Sequence, residues 1–587
     1  MKANTVIKSR TAHPKAVWQL EQSNVPPLLA RLYAHRGVKT AQELDTSLNT
    51  LLPPNTLLGL DRACELLVHA IQSDKLICIV ADYDCDGATA CALGIRGLKL
   101  LGAKRITYLV PDRVVDGYGL TPDISKRVCA LGAEILVTVD NGIASVEGVK
   151  AARDLGMKVL ITDHHLAGAE LPLADAIVNP NQPNCPFESK NLSGVGVMFY
   201  VLMGVRTLMR ERGLFGSVEE LGAPQKSTPP TLQPKLDSLL PLVALGSVAD
   251  VVCLDANNRR LVEQGLRRIR NLQMPIGMQC LFQVCDKDPK KASTQDLGFS
   301  IGPRINAAGR LSDMTIGIEC LLSESFEEAS VLANQLHQIN LQRRSVEAQM
   351  LEDAWHIAQE KSSLAKHSEA LCVFDDSFHE GVVGIVASRI KDHYHCPTFV
   401  FAPSKSDSDN TQSTLLKGSG RSIPGFHLRD ALDVVSKQHP TLLLKFGGHA
   451  MAAGCSISLE NFALFESAFL SVAQNAPNLS SGHKQLLTDG SLEPEHLSLD
   501  TAHLLLSQVW GQGFEAPLFC DAAQILRQRI VGEKHLSMRV LIHNQELDAI
   551  WFNNTFTPSE FVQLIYKLDA DNWSGTTKLK LLVESVV

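Results

Sequence analysis

Hydrophobic residues in the first third of the chain fall in short runs separated by amphipathic stretches. Leu76 to Val80 is a continuous apolar run suited to a buried strand, and Thr89 to Leu101 then carries apolar positions at helical spacing. The strand signal recurs at Arg105 to Val110, Ile135 to Val139, Lys158 to Ile161 and Ala176 to Val178, with candidate helices between them such as Ser145 to Leu155. Alternation of this kind predicts an α/β domain with a mainly parallel sheet, whose ligands sit beyond the carboxyl ends of the strands. Gly213 to Pro234 is rich in Gly, Pro and Ser and reads as a surface insertion. Phe326 to about Lys361 has neither Gly nor Pro and keeps Leu332, Leu336 and Ile339 at helical spacing, which predicts a long helix leaving the first domain. A second α/β region follows from Ala370 to about Ser458, with a polar loop at Ser404 to Thr414. From Leu518 onward, Ile525 to Val531, Ser537 to His543 and Leu579 to Val583 read as strands of a small β domain.

The resulting division is an N-terminal segment at 1–70, a first α/β domain at 71–325 and a connecting helix at 326–361. A second α/β domain follows at 362–460 and a β domain at 461–587. A length of 587 residues accords with three or four domains, and 45% hydrophobic with 20% charged residues is ordinary for a globular protein. Leu239 to Leu254 comes nearest to a membrane span and is broken by Asp250. The polar N-terminus lacks the apolar core of a signal peptide, and the 14 cysteines include no CxxC pair. The expectation is a reduced cytoplasmic protein without a membrane partner. A net charge of −8 argues mildly against a non-specific nucleic-acid coat, but a nuclease needs only a positive track beneath the strand.

Three of the predicted strands end in chemistry: Asp82-Tyr83-Asp84-Cys85-Asp86-Gly87, then Asp140-Asn141-Gly142, then Asp163-His164-His165. Singly, an Asn-Gly after a strand is usually a turn, and adjacent histidines are usually incidental. Three carboxylates within five residues are another matter, because like charges held together repel unless a cation neutralises them. Placed at the ends of strands in one parallel sheet, the three segments converge on one edge. Carboxylates with imidazoles suit Mn²⁺ or Mg²⁺, and two such ions bridged by one aspartate could activate a water against a phosphodiester.

The order DxDG, VDNG, DHH and then an isolated Asp, here Asp250 in Gly246-Ser247-Val248-Ala249-Asp250, resembles the DHH phosphoesterase superfamily. That resemblance implies Asp84, Asp86, Asp140, His164 and Asp250 as ligands of two metal ions, with Asp140 bridging. Asp82 would join the acidic cluster, Asp163 would orient an imidazole from behind, and His165 would face the scissile phosphate. Further segments resemble the RecJ-type exonucleases of that superfamily. Pro111-Asp112-Arg113 with Asp116-Gly117-Tyr118-Gly119 is one, where Arg113 can grip a phosphate and Tyr118 offers a ring to a base. Gly302 to Arg310 (GPRINAAGR) is another, and implies Arg304, Asn306 and Arg310 as substrate contacts. His379 to Ala387 and Phe446-Gly447-Gly448-His449 resemble a DHHA1 substrate domain. Gly418 to Ser422 lies between them, and by resemblance Ser419 and Arg421 hold a 5′-phosphate, with Gly447, Gly448 and His449 nearby.

The terminal β region lies where RecJ-type proteins carry an OB fold, although Trp510 to Phe519 follows the expected pattern loosely, with Phe514 in place of Asn. Arg259, Arg260, Arg267, Arg268 and Arg270 could line a strand channel or form a solvated helix face. The resemblance implies a single-stranded-DNA exonuclease working from the 5′ end to 5′-mononucleotides, in recombination, mismatch repair and base-excision repair. A RecQ-type helicase and a single-strand-binding protein would be its functional partners. Two readings compete with this one. A DHH phosphoesterase of oligoribonucleotides or small phosphorylated nucleotides would be shorter and lack the GPRINAAGR segment. A catalytically dead scaffold would lack ligands, whereas every expected ligand position is filled.

Overall fold

The computed structural model describes residues 6–113, 116–216, 232–364, 369–404, 415–476, 485–571 and 577–587. Residues 217–231 of the expected insertion, and all of the Ser404 to Thr414 loop except Ser404, lie outside them. Strand β1 (Val6–Ser9) pairs with a later strand, β12 (Gln485–Thr488), in a two-stranded ribbon. The chain divides into two compact units, one of residues 9–337 with 487–587 and one of 1–8 with 338–486.

The first unit is built on a parallel sheet of β2 (Ile77–Ala81), β3 (Ile106–Leu109), β4 (Ile135–Val139), β5 (Lys158–Thr162) and β6 (Ala176–Val178), in the order β3-β2-β4-β5-β6. All five residues of β2 and of β4 are buried, because helices cover both faces of a parallel sheet. The helix Cys85–Leu100 packs against the helices Gly194–Glu211 and Leu240–Ala249. Gly94 and Gly97 permit this close approach, since a Cβ on Gly97 would lie 2.2 Å from the Leu202 side chain. The N-terminal segment is no separate element. Leu28, Leu32, Leu60 and Leu67 belong to the same apolar cluster as Ile77 and Ile79.

The same unit contains a closed barrel of β13 (Phe519–Val531), β14 (His535–Ile542), β15 (Gln545–Trp551), β16 (Phe561–Asp571) and β17 (Lys578–Val586), in the order β13-β14-β15-β17-β16. Closure leaves no free sheet edge. Two of these strands, β15 and β16, are additional to those named from the sequence.

The second unit holds a mixed sheet of β7 (Leu371–Phe374), β8 (Thr398–Pro403), β9 (Leu415–Arg421), β10 (Lys445–Gly448) and β11 (Ala452–Ser458). Only β7 and β8 run parallel among its neighbours. The boundary expected at 460/461 does not fall there. The helix Phe462–Gln474 belongs to this unit, with Phe465 and Phe469 against Phe399 and Phe401 at ring separations of 5.0–5.4 Å. Burying four aromatic rings outweighs any local signal for a break. The helix Phe326–Leu364 runs for 39 residues, and the division between units falls inside it, at His337 and Gln338.

Candidate active site

The parallel register sets the ends of β2, β4 and β5 side by side, so that Asp82, Asp140 and Asp163 follow three adjacent strands. Asn141 stitches two of those ends together, because its Nδ2 donates to Val80 O at 3.1 Å and Val139 O at 2.9 Å. Asp84 caps the helix Cys85–Leu100 by accepting from Gly87 N at 2.9 Å. Gly87 is required there, since a Cβ would lie 2.4 Å from the Asp82 carbonyl oxygen. Asp86 is fully buried and accepts from Gly194 N at 2.6 Å and Val195 N at 2.9 Å, tying the acidic loop to the start of the helix Gly194–Glu211. Asp250 ends the helix Leu240–Ala249 and turns its carboxylate to within 3.5 Å of His164 Nε2.

Asp140 has a left-handed backbone, with φ of +63°, and is buried. Its Oδ1 lies 3.1 Å from His164 Nε2, yet neither atom has a partner in hydrogen-bond geometry. Two buried polar atoms aimed at shared space and satisfied by nothing in the chain fit a missing cation. Three groups of side chains bring one ligand atom each within 4.8 Å of one another: Asp82, Asp84 and Asp140; Asp86, His164 and Asp250; Asp140, His164 and His165. The first two groups share no residue, so the cluster has room for two ions, and Asp140 and His164 each serve two groups. Oxygen donors with imidazole match Mn²⁺ or Mg²⁺.

The electrostatics agree. Burial and the neighbouring Asp84 push Asp82 up to about 8 and Asp86 up to about 7. Asp140 and Asp250 are raised well above the carboxylate range by burial and then by the Asp86 charge. Burial, with His165 beside it, lowers His164 to about 4, leaving a neutral imidazole free to ligate. His165 differs. Burial disfavours its charge, but a 2.8 Å hydrogen bond to Asp163 and that carboxylate's field outweigh burial and raise it to about 9. Asp163 is held from behind by Ile143 N at 2.9 Å and accepts from the His164 and His165 amides.

The residues expected around this centre divide into two kinds. Tyr118 reaches it, with its hydroxyl 3.4 Å from His165 Nδ1, and Arg113 lies with Cζ 4.9 Å from the centre of the Tyr83 ring. Asn306 instead accepts from Cys85 N at 2.7 Å and so holds the acidic loop. Arg304 donates to Ser300 O at 2.6 Å and to His337 Nδ1 at 3.1 Å, and Arg310 stands near enough to Tyr83 to act on it electrostatically. Tyr83 was not singled out in the sequence, and only its place inside the DxDxDG run could have drawn attention to it.

The arginine group is not a bare helix face. Arg259 donates to Leu254 O and Glu43 O and stacks over Phe514, Arg260 donates to Asp45 O, and Arg270 to Ala292 O. Arg268 is paired with Asp237, and Arg267 is exposed. Phe514 is itself buried between Tyr33 and Trp510, which accounts for an aromatic residue where Asn was expected.

In the second unit, Arg421 Nη1 donates to Ser419 Oγ at 3.1 Å and to Gly420 O at 2.8 Å, both on β9. Gly384, at the start of the helix Val383–Tyr394, lies over them, since a Cβ there would come 2.8 Å from Arg421 Nη2 and 3.0 Å from Ser419 Oγ. A guanidinium, a hydroxyl and a helix N-terminus thus meet at one place, a combination suited to an anion. Gly447 and Gly448 end β10, and Gly448 has a φ of +136°. A Cβ on Gly448 would strike Ala453 Cα at 2.4 Å, and His449 N then donates to Ala452 O at 2.8 Å.

Comparison with known proteins matches residues 76–270 to the DHH family, N-terminal domain, 367–475 to the DHHA1 domain and 488–585 to the RecJ OB domain. The chain is 43% identical to the single-stranded-DNA-specific exonuclease RecJ of Escherichia coli, covering 96% of both chains. It is 44% identical to the RecJ of Haemophilus influenzae, over 95% of this chain and 96% of that one. A crystal structure of Thermus thermophilus RecJ in complex with Mn²⁺ superposes with a TM-score of 0.79 at 27% identity, covering all of this chain and 80% of that one. The Mg²⁺ complex of the same protein gives a TM-score of 0.73 at 26% identity, over 100% and 78% of the two chains. With its acidic strand ends, its second α/β unit and its closed barrel in this order, the chain belongs to the RecJ family of DHH proteins.

Proposed function

We propose that this chain is a single-stranded-DNA-specific exonuclease that hydrolyses its substrate from the 5′ end to 5′-mononucleotides with the help of two Mn²⁺ or Mg²⁺ ions. The observation that carries the reading is the pair of unpartnered buried atoms, Asp140 Oδ1 and His164 Nε2, inside a ring of carboxylates. Asp84, Asp86, Asp140, His164 and Asp250 are the proposed ligands, with Asp140 between the two positions and Asp82 closing the acidic side. When bound, a divalent ion pair supplies a water activated at neutral pH and neutralises charge on the leaving oxygen. The chain's own residues do the positioning. Asp163 fixes one side of the His165 ring, so that its other side can face a phosphate oxygen. Arg113 and Tyr118 receive the strand beside it, and Ser419 with Arg421 receives the terminal 5′-phosphate. The barrel tracks the remainder of the strand, on the 3′ side of the cut. The proposal extends to recombination and repair in the cytoplasm, with a RecQ-type helicase to expose single strands and a single-strand-binding protein to hold them.

The test is digestion of oligonucleotides labelled at either end, single-stranded and blunt duplex, with Mn²⁺, Mg²⁺ or EDTA. Metal-dependent release of mononucleotides from the 5′ end of single strands is expected. Digestion from the 3′ end, or undiminished cleavage in EDTA, would overturn the reading.

A further inference from the structure

Tyr83 stands in the middle of the acidic loop, and none of the roles above uses it. The loop around it is held at two points by the helix Gly302–Leu311. Asn306 accepts from the Cys85 amide at 2.7 Å, and Gly309 packs so closely that a Cβ there would lie 1.9 Å from the Tyr83 carbonyl oxygen. On one side of its ring lies Arg113, with Cζ 4.9 Å from the centroid. Among the described residues the guanidinium of Arg113 has no hydrogen-bond or ion-pair partner, and the side chain is exposed. Tyr118 meets the Tyr83 ring edge-on at 6.1 Å, and Tyr118 in turn meets the His165 ring at 5.9 Å. A guanidinium held over an aromatic face by the ring's charge distribution still has N–H groups to offer a phosphate, and the ring restrains a side chain that otherwise has many rotamers.

We propose that Tyr83 is a positioning residue for the strand, and that its ring is the shelf presenting Arg113 to a backbone phosphate beside the carboxylate cluster. The inference rests on the exonuclease reading. Tyr83 touches neither substrate nor metal in this scheme and acts through Arg113, with Tyr118 set edge-on against it. The aromatic ring carries the effect, and the hydroxyl does not. The helix Gly302–Leu311 gains a role as well, since it sets the shelf from beneath through Asn306 and Gly309.

The test compares Tyr83→Phe, Tyr83→Leu, Arg113→Ala and the double variant Tyr83→Leu/Arg113→Ala with the wild type. Steady-state cleavage of 5′-phosphorylated single strands and strand affinity are measured across a salt series. Loss of one phosphate contact lowers the log–log salt slope by about 0.7 on a single strand. Tyr83→Leu should raise KM about tenfold with a smaller change in kcat and lower the slope by that amount. Tyr83→Phe should keep the wild-type slope. The double variant should be no weaker in binding than Arg113→Ala alone, because both changes remove the same contact. An unchanged salt slope in Tyr83→Leu, or losses from Tyr83→Leu and Arg113→Ala that simply add, would overturn the proposal. A Tyr83→Phe variant as impaired as Tyr83→Leu would overturn it too, by placing the effect on the hydroxyl. A wild type without metal-dependent cleavage would defeat the exonuclease reading instead, and the two failures are therefore distinct.

Discussion

At the scale of single residues, Asp140 is the most exacting position. Its positive φ disfavours most side chains, but Asn tolerates the left-handed region nearly as well as Asp. Asp140→Asn should therefore fold normally and lose at least about 10²-fold in cleavage rate, because a preorganised charge is gone while the shape is kept. Near-normal turnover with saturating Mn²⁺ would remove Asp140 from the ligand set. Arg421 makes a different kind of contact, through the planar fork already turned toward Ser419. Lysine cannot reproduce that fork, so Arg421→Lys should abolish most of the preference for a 5′-phosphate over a 5′-hydroxyl while keeping metal-dependent cleavage. An end preference equal to that of the wild type would show that the phosphate is read elsewhere.

At the scale of elements, the acidic loop owes its shape to glycines that admit backbone rather than side chains. Gly309 meets the carbonyl of Tyr83, and Gly87 meets that of Asp82, at Cβ distances of 1.9 Å and 2.4 Å. Neither neighbour is a flexible side chain that could swing away. Gly309→Ala should cost about 1–3 kcal/mol of stability by overpacking and should reduce cleavage, because the loop carrying Asp82, Asp84 and Asp86 must shift. Gly168→Ala is the control, since a Cβ there meets only Glu170 O at 3.8 Å. Equal denaturation midpoints for the two variants would refute the close-packing argument. The arginines of the helix Ala256–Arg270 teach the converse lesson. A basic helix face looked suited to nucleic acid, yet four of its five arginines are tied to Leu254, Asp45, Asp237 and Ala292. Which carbonyls or carboxylates stand opposite an arginine is not written along its own helix.

At the scale of the whole molecule, two ionic arrangements set conditions for stability. Asp489, directly after β12, is buried and binds Arg36 at 3.0 Å and His35 at 2.9 Å, and it also accepts from Leu518 N at 3.0 Å. Burial works against its charge, but these partners outweigh it and hold the carboxyl down at about 2. Because the folded value lies below the unfolded one, this contribution is present above roughly pH 4 and is lost as pH falls toward 2. It amounts to about 2 kcal/mol. Asp489→Asn should lower the denaturation midpoint at neutral pH and flatten its fall between pH 4 and 2, and parallel acid limbs in variant and wild type would contradict this. The metal centre acts in the opposite sense. Several buried carboxylates crowd together, so Mn²⁺ should raise Tm relative to EDTA, and Asp140→Asn should shrink that rise. A wild-type Tm indifferent to Mn²⁺ would speak against a cation in the cluster.

The chemistry of this protein was legible along the chain because it is local. Asp82, Asp84 and Asp86 lie within five residues, Asp140 and Asp163 each follow an apolar strand, and a parallel sheet necessarily brings such strand ends to one edge. The long helix from Phe326 was equally plain, since nothing in it interrupts helical spacing. What the tertiary structure alone decided depends on partners far apart in sequence. The helix Phe462–Gln474 joins the second unit because its phenylalanines meet Phe399 and Phe401, some sixty residues earlier. Phe514 is a core residue because Tyr33 and Arg259 enclose it. Asn306 serves the acidic loop because Cys85, 221 residues away, presents an amide to it. Periodicity and strand-end composition record what a segment does with its neighbours along the chain, whereas burial, pairing and the aim of a side chain are set by whatever the fold carries to the other side of it.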